Sequence, residues 1–508
     1  IVFADEDGSQ GNFHANFKLD REGEQIAITT LTTMGDTLFI DSLSYSEQLT
    51  DISFGRFPDG NANMEFFTNP TPGSANVSDN LEGIAPAPLF SIPGGFFSSA
   101  ANIELSTDLA NATIRYTLDG SDPDEQSPVY SSPLTLDSTV VIKARIYADA
   151  YLPGSVSGHT FFIAEHFVDF DVAERLPVLS VSADPQLLWS EESGLLHENN
   201  MWNEWEYSAH IELFEPNGES AINQQAGIRL FGNSTRRMAQ KSLAVIARNE
   251  YGVNRFSYKL FDNRPFEEYK SFVLRNGGND WSQTYFRDAL THELVRNEMD
   301  IDAQGNKQAI LYVNGSFYGI VNIKEKVNEH YLEAHHDIDP DNLYMLQSYG
   351  ETVHGGEEAL EEYSKFNGYI AMNDMSNPFL YQELEKLMDI QEYMNLYIAQ
   401  IYISNIDMSL NQKYWREAEN YSKWRWIIYD TEMSLGQGDY SYTELYGTIS
   451  SFNMLDFATI EYGGNGWPFQ RPWSSEKIIS MLDNENFRNA FIQTFAVHLN
   501  TTFKTERV

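Results

Sequence analysis

The chain has 508 residues, 42% hydrophobic and 14% aromatic, with 33 basic against 74 acidic side chains and a formal charge of −41. That apolar content supports about two to four packed domains and excludes a disordered chain, while a field of this sign repels phosphate backbones and anionic bilayers, which sets nucleic acid and charged membranes aside as partners. There is no cysteine, which removes disulfides, zinc thiolates and thiol catalysis, and no run of about 18 apolar residues that would span a membrane.

Residues 1–78 alternate with period two in short runs such as Gln25-Ile-Ala-Ile-Thr29, punctuated by Gly and Asp, and so predict strands and tight turns. Arg56, Asp59 and Gly60 read as a turn with its own salt bridge, and residues 77–88 read as a linker. The blocks at residues 16–24, 53–60 and 69–76 resemble the second half of a lamin-tail domain, an immunoglobulin-like β-sandwich. That resemblance implies missing opening strands. Together with a start at Ile1 rather than Met and a close at Val508 just after a helical pattern, it leads us to expect a fragment of a longer, processed protein.

Residues 86–163 form a second alternating region, with strands expected at Ile103–Ser106, Thr113–Leu118 and Thr139–Tyr147 and a tight turn at Asp119-Gly120. The region, bounded as 79–165, resembles the small immunoglobulin-like module at the C-terminus of chitobiases and hexosaminidases. In that family the module is accessory, which implies no catalysis here and leaves glycan binding open. Asp119, Asp122 and Asp124 form a candidate calcium cluster, with three solvated acids in a turn as the plainer alternative.

Residues 175–508 read as α+β. A buried strand is expected at Leu176–Ser182, hairpins at Ser208–Glu219 (turning on Pro-Asn-Gly) and Lys307–Gly319, and helices over 284–298, 356–371, 379–403 and 476–500. Asn377 and Pro378 supply an N-cap and a first helical residue.

Four segments here carry unusual polar residues. Gly232-Asn-Ser-Thr-Arg-Arg237, followed by Lys241, concentrates Arg236, Arg237 and Lys241 in an acidic chain, and a Gly-containing loop with such cations can cradle phosphate. Arg287 and Asp288 open a helix after a Gly-Gly loop and, as helical neighbours, need separate partners. Lys324 and Glu325 alternate on a strand, so only one of them can enter a cleft. Last, Asn405-Ile-Asp407 with Asn411, and Tyr429-Asp-Thr-Glu432, each deliver an acid to a turn after an apolar stretch, a pattern suited to holding a divalent metal on a triphosphate.

In order and spacing these blocks, with Phe286–Leu290, Tyr318–Glu325 and the tail Trp473-Ser-Ser-Glu476 to Phe491, resemble the CotH family of spore-coat and secreted proteins, which has an atypical protein-kinase-like fold. The resemblance implies an architecture of two all-β immunoglobulin-like sandwiches followed by an α+β kinase-like domain. It implies ATP with Mg²⁺ or Mn²⁺ as cofactor, Lys241 reaching the α/β-phosphates, and Glu325 orienting that lysine. It further implies Asp407 as catalytic acid/base or metal ligand, Asp430 as the metal-holding acid with Asn411 and Glu432 beside it, and Arg236, Arg237, Arg287 and Asp288 as residues supporting the nucleotide. Two positions depart from the pattern: Glu432 stands where the family repeats Asp, and Asn411 comes one residue earlier after Asp407 than the Asn of ordinary kinases.

The expected function is therefore a secreted or bacterial cell-surface Ser/Thr protein kinase acting on an exported protein. The alternative is a non-catalytic adhesion, scaffold or envelope component that uses the same fold.

Overall fold

The computed structural model of the chain describes residues 1–4, 11, 13–20, 23–46, 48–49, 51–78, 81–165, 170–419, 421–436, 453–459 and 472–508. Of the residues singled out above, Arg21, Glu22, linker residues 79–80 and the side chain of Trp473 lie outside them. The chain is multidomain, with a β-rich N-terminal region followed by a large domain of barrel and helices.

The front of the chain holds two antiparallel hairpins, β1 (Gly23–Leu31) with β2 (Thr37–Ser46) and β3 (Ser53–Arg56) with β4 (Met64–Phe67). Arg56 closes its own turn by donating to Asn61 O at 2.7 Å, but the expected salt bridge is not within the turn. It reaches across to Asp41 at 2.7 Å, while Asp59 accepts from the Asn76 amide at 3.1 Å.

The second region centres on a four-stranded sheet in the order β6 (Thr113–Thr117), β7 (Val140–Tyr147), β8 (Ser157–Ile163), β5 (Gly95–Phe97), with β8 and β5 parallel. Ile103, Ile142, Ala144, Ile146 and Phe161 fill its core. The three candidate calcium acids turn to separate partners: Asp119 to Ser121, Asp122 to Lys143, and Asp124 to Gln126 and Ser127. Among the described residues no group of three or more His, Asp or Glu is arranged to hold a metal ion.

This module packs directly on the large domain. Phe162 stacks edge-on to Phe214 and Tyr312, with centroids at 5.6 and 4.9 Å, and Thr160 joins Ser180 at 2.8 Å and Glu212 in a buried polar network.

The large domain opens with a closed seven-stranded barrel, β9 (Val178–Ser182), β10 (Glu206–Phe214), β11 (Ser220–Phe231), β12 (Ser242–Ile246), β13 (Ser271–Arg275), β14 (Asn306–Val313) and β15 (Ser316–Glu325). The strand order is β9-β10-β11-β12-β13-β15-β14, closed by a parallel β14–β9 pair. Its interior follows from period-two alternation: Leu179, Val181, Ile211, Leu213, Ile228, Leu230, Leu243, Val245, Phe272, Leu274, Leu311 and Ile323 are all fully buried in one cluster. The alternate positions Arg229, Phe231, Val273, Arg275 and Lys324 consequently face outward. The β14–β15 turn runs through Asn314 and Gly315, both at positive φ (47° and 73°), as a two-residue hairpin requires.

One helix, α1 (Arg287–Val295), lies between β13 and β14, and α2 (Glu329–His336) follows β15. The rest is a sheet with helices: β16 (Leu343–Gln347), β17 (Glu351–His354), α3 (Gly356–Met372), α4 (Pro378–Leu387), α5 (Ile390–Tyr402), β18 (Gln412–Glu417), β19 (Arg425–Ile428), α6 (Met454–Thr459), α7 (Pro472–Leu482) and α8 (Glu485–Asn500), the strands ordered β17-β16-β18-β19.

The helix expected over 379–403 is broken at Met388, whose backbone bridges to Trp424, and Asp389 caps the second half by accepting from the Glu392 amide at 3.0 Å. The stretch 476–500 is divided in the same way by the Asn484 cap. Tyr393, Tyr397, Trp424 and Trp426 anchor the core of this lobe. No helix among the described residues is long and apolar enough to cross a membrane.

Candidate active site

A cleft of about 530 Å³ lies between the outward face of the barrel and the loops of the second lobe. The barrel contributes Arg229, Phe231, the Gly232–Arg236 loop and Arg275; the second lobe contributes Asp407, Asn411, Lys413 and Asp430. A smaller recess continues behind Asp430, lined by Asp288, Gln304 and Lys324.

The two acids arrive by different routes. Asp430 follows the end of β19, as its apolar run predicts, and adopts the left-handed φ of 49° that Asp tolerates better than most residues. Asp407 follows the C-terminus of α5, after a left-handed Ser404. The two loops are laced together, Ile406 N to Met433 O at 3.1 Å and Leu435 N to Ile403 O at 2.7 Å. Asn411 joins the acids themselves: its Nδ2 donates to Asp407 Oδ2 at 3.0 Å and to Asp430 O at 3.1 Å. Its Oδ1 accepts no hydrogen bond among the described residues. Two carboxylates and a free amide oxygen form a hard-oxygen set that fits Mg²⁺ or Mn²⁺.

Glu432, expected among the metal ligands, does not join that set. Its Oε1 takes Arg275 Nε at 2.6 Å and its Oε2 takes the Asn279 amide at 2.7 Å. Gly278, at φ 52°, passes so close that a Cβ there would fall within 1.8–2.1 Å of the carboxylate. Arg275 also reaches Asp430 Oδ1 at 3.3 Å. Burial works against the charge on Arg275, but Glu432 and Asp430 hold its proton more firmly than usual. Burial pushes Glu432 upward, to about 8; Arg275 opposes that shift, and Asp430 and Asp288 add to it. Arg275 stays charged, because guanidinium does not deprotonate in proteins, and Glu432 is shifted upward by its burial and by sharing that one cation with Asp430.

The lysine and acid expected to work together are kept apart. Continuing the alternation of β12, Lys241 falls on the inner face with Leu243 and Val245, and its Nζ donates to Arg236 O at 2.5 Å. Glu325 has the parity of the buried Ile323 and is held at the barrel end by Arg264 (2.7 Å), His335 (2.9 Å) and the Gly305 amide (2.5 Å). The structure therefore does not bring Glu325 to Lys241. The residue that reaches the cleft recess is Lys324, one position earlier, which forms a buried ion pair with Asp288 at the start of α1.

Asp288 also accepts from Thr431 N at 2.8 Å, tying α1 to the loop after Asp430, and lies 3.3 Å from His292 Nε2 one helical turn on. Burial pushes the Asp288 carboxyl up, but Lys324 and His292 hold it well below the ordinary range.

The remaining candidates divide. Arg236 lines the cleft but is engaged by Glu204 at 2.8 Å. Arg237 is exposed and stacks on Trp202 at 5.5 Å. Arg287 turns away to Asp280. Two buried acceptors along the cleft, Thr235 Oγ1 and Gln304 Oε1, lack partners among the described residues. Such orphaned atoms fit a ligand rich in hydrogen-bonding groups, as a nucleotide is.

Arg275, Lys413 and Asn279 were not singled out from the sequence. The parity of Phe272 and Leu274 was the available signal for Arg275. Lys413 is buried over the Tyr429 ring at 4.6 Å, donates to Val327 O at 3.0 Å, and is pushed down by burial to about 8.

Residues 228–508, more than half of the chain, match the family model described as CotH kinase protein, and residues 92–157 match that of the Chitobiase/beta-hexosaminidase C-terminal domain. No curated protein matches the chain.

Proposed function

We propose that this chain, which belongs to the CotH kinase protein family, transfers a phosphoryl group from ATP to a hydroxyl side chain of an exported protein outside the cell. The observation that carries this reading is the convergence of Asp407, Asn411, Asp430 and Arg275 on one cleft, with the Lys324–Asp288 pair directly behind it.

In this reaction the acceptor oxygen bonds to the γ-phosphorus as the bond to the β–γ bridging oxygen breaks and ADP departs, and Asp407 takes the hydroxyl proton. Asp430 and Asn411 Oδ1 would hold Mg²⁺ or Mn²⁺, which when bound neutralises charge on the phosphate oxygens. Lys324 is oriented toward the recess by Asp288 in the manner of a kinase Lys–acid pair. We read the large domain accordingly as protein-kinase-like, and the two front regions as immunoglobulin-like sandwiches, the first of lamin-tail type. Secretion fits the absence of cysteine and the strongly acidic composition.

A second reading, a non-catalytic adhesion or scaffold protein, is favoured by one feature: Arg275 already occupies Asp430 and Glu432. The melting temperature with ATP and Mn²⁺ separates the two. A saturable rise supports the enzyme, and no rise at millimolar ATP supports the scaffold.

A further inference from the structure

Beyond the end of β15, a notch of about 220 Å³ opens between that strand end, the start of β13 and the first turn of α2. Lys270, Lys326 and Asn328 line both it and the adjoining groove of about 440 Å³. In a chain carrying −41, a cation left without a counter-ion needs a reason. Neither lysine has an ion-pair or side-chain hydrogen-bond partner among the described residues, although both are partly buried.

Glu268, Glu325 and Glu333 line the notch and Glu329 the groove, and each has a partner other than these lysines. Glu325 is held by Arg264 and His335; Glu333 meets His330 at 2.9 Å, Glu268 meets Arg255 at 3.6 Å, and Glu329 lies 3.7 Å from His330.

Asn328 is the second observation. It occupies the N-cap position of α2 with only 8% of its surface exposed, yet its side chain makes no cap hydrogen bond and has no partner among the described residues. A buried amide in that position ordinarily caps the helix or finds another partner. The Glu329 and His330 amides of the first turn have no hydrogen bond among the described residues either. The notch thus collects an unpartnered side-chain amide, two uncapped backbone donors and two unpaired ammonium groups beside the carboxylates of Glu268, Glu325 and Glu333, whose charges are met by Arg255, by Arg264 and His335, and by His330; an oxyanion satisfies the donors that remain. Burial depresses both lysines, with Arg255 beside Lys270 and Arg229 beside Lys326 adding to the effect and Glu333, Glu268, Glu329 and Glu206 opposing it only in part, and a bound anion would relieve the rest.

We infer that this notch is an oxyanion site, distinct from the cleft, that takes a phosphate monoester or a carboxylate group on Lys270, Lys326, Asn328 and the first turn of α2. It lies two residues along the chain from Lys324, and Val327, between Lys326 and Asn328, is the residue whose carbonyl Lys413 holds from the cleft side.

The test is calorimetric titration of the full chain with inorganic phosphate, and separately with acetate, at low ionic strength. Saturable binding is expected, weakened about ten- to a hundredfold in Lys270→Met/Lys326→Met and unchanged in Lys365→Met, which removes an exposed lysine elsewhere. Asn328→Ala, which leaves both lysines in place, weakens it in the same direction and decides the matter if the double variant does not fold. A stronger response to phosphate assigns a phosphate ester and an equal response to acetate a carboxylate, and either result supports the site. No saturable binding of either anion, or phosphate affinity unchanged in the double variant (as binding in the cleft would give), overturns it.

Discussion

Asn411 donates through a single Nδ2 to Asp407 Oδ2 at 3.0 Å and to the carbonyl of Asp430 at 3.1 Å, so one amide fixes the separation of the two acids that define the cleft. It is also the group whose Oδ1 is left free toward the cleft. The position one residue early in the family comparison therefore has a structural use. Removing it should loosen metal binding rather than unfold the domain. Asn411→Ala is expected to raise the Mg²⁺ concentration for half-maximal activity about 10–100-fold, with the circular-dichroism melting curve little changed.

Lys324 and Asp288 are both nearly buried, with 7% and 11% of their side chains exposed. Breaking such a pair leaves an uncompensated charge, so Lys324→Met should cost about 3–5 kcal/mol in urea denaturation at pH 7. Because Asp288 is held below its ordinary value, its share of the stability is full above about pH 4 and is lost as pH falls through the depressed value. The penalty should thus be the same at pH 5 and 7 and shrink only in stronger acid.

Gly278 and Gly356 have nearly the same backbone, φ 52° and 59°, but differ in what a Cβ would meet: the Glu432 carboxylate at Gly278 and open space at Gly356. Gly356→Ala should cost only the left-handed penalty of about 1–2 kcal/mol. Gly278→Ala should cost about 1–3 kcal/mol more, and denaturant midpoints of the two variants compare them directly.

Glu432 titrates near 8 in the folded chain and near 4.3 when unfolded. Between those values the native state holds a proton that the unfolded state has released, so stability contributed here is present at low pH and lost as pH rises toward 8. Glu432→Gln should remove that downward slope, visible in urea midpoints taken at pH 5, 6.5 and 8.

Much of this was legible from local pattern. The Pro-Asn-Gly turn after β10, the Asn314-Gly315 hairpin and the Asn377-Pro378 helix start all stand where residue chemistry puts them. So does the alternation that lets only one of Lys324 and Glu325 enter the cleft. What alternation could not supply was the phase. Which face of β15 is interior depends on closure of the barrel with β13 and β14, a long-range property, so alternation left the choice open, and the family resemblance pointed to Glu325 rather than Lys324. The Glu432 clamp was hidden for the same reason, since Arg275 and Asn279 come from more than 150 positions away in sequence. The break at Met388 depends on a bridge to Trp424 that no helical periodicity reveals.

The most direct test is transfer of label from γ-labelled ATP, with Mg²⁺ or Mn²⁺, to the chain itself or a generic protein acceptor, for the wild type beside Asp407→Asn and Asp430→Asn. The account predicts metal-dependent labelling of Ser or Thr that falls about a hundredfold or more in each variant. A folded wild-type chain that transfers no label, or labelling that survives both substitutions, would contradict it.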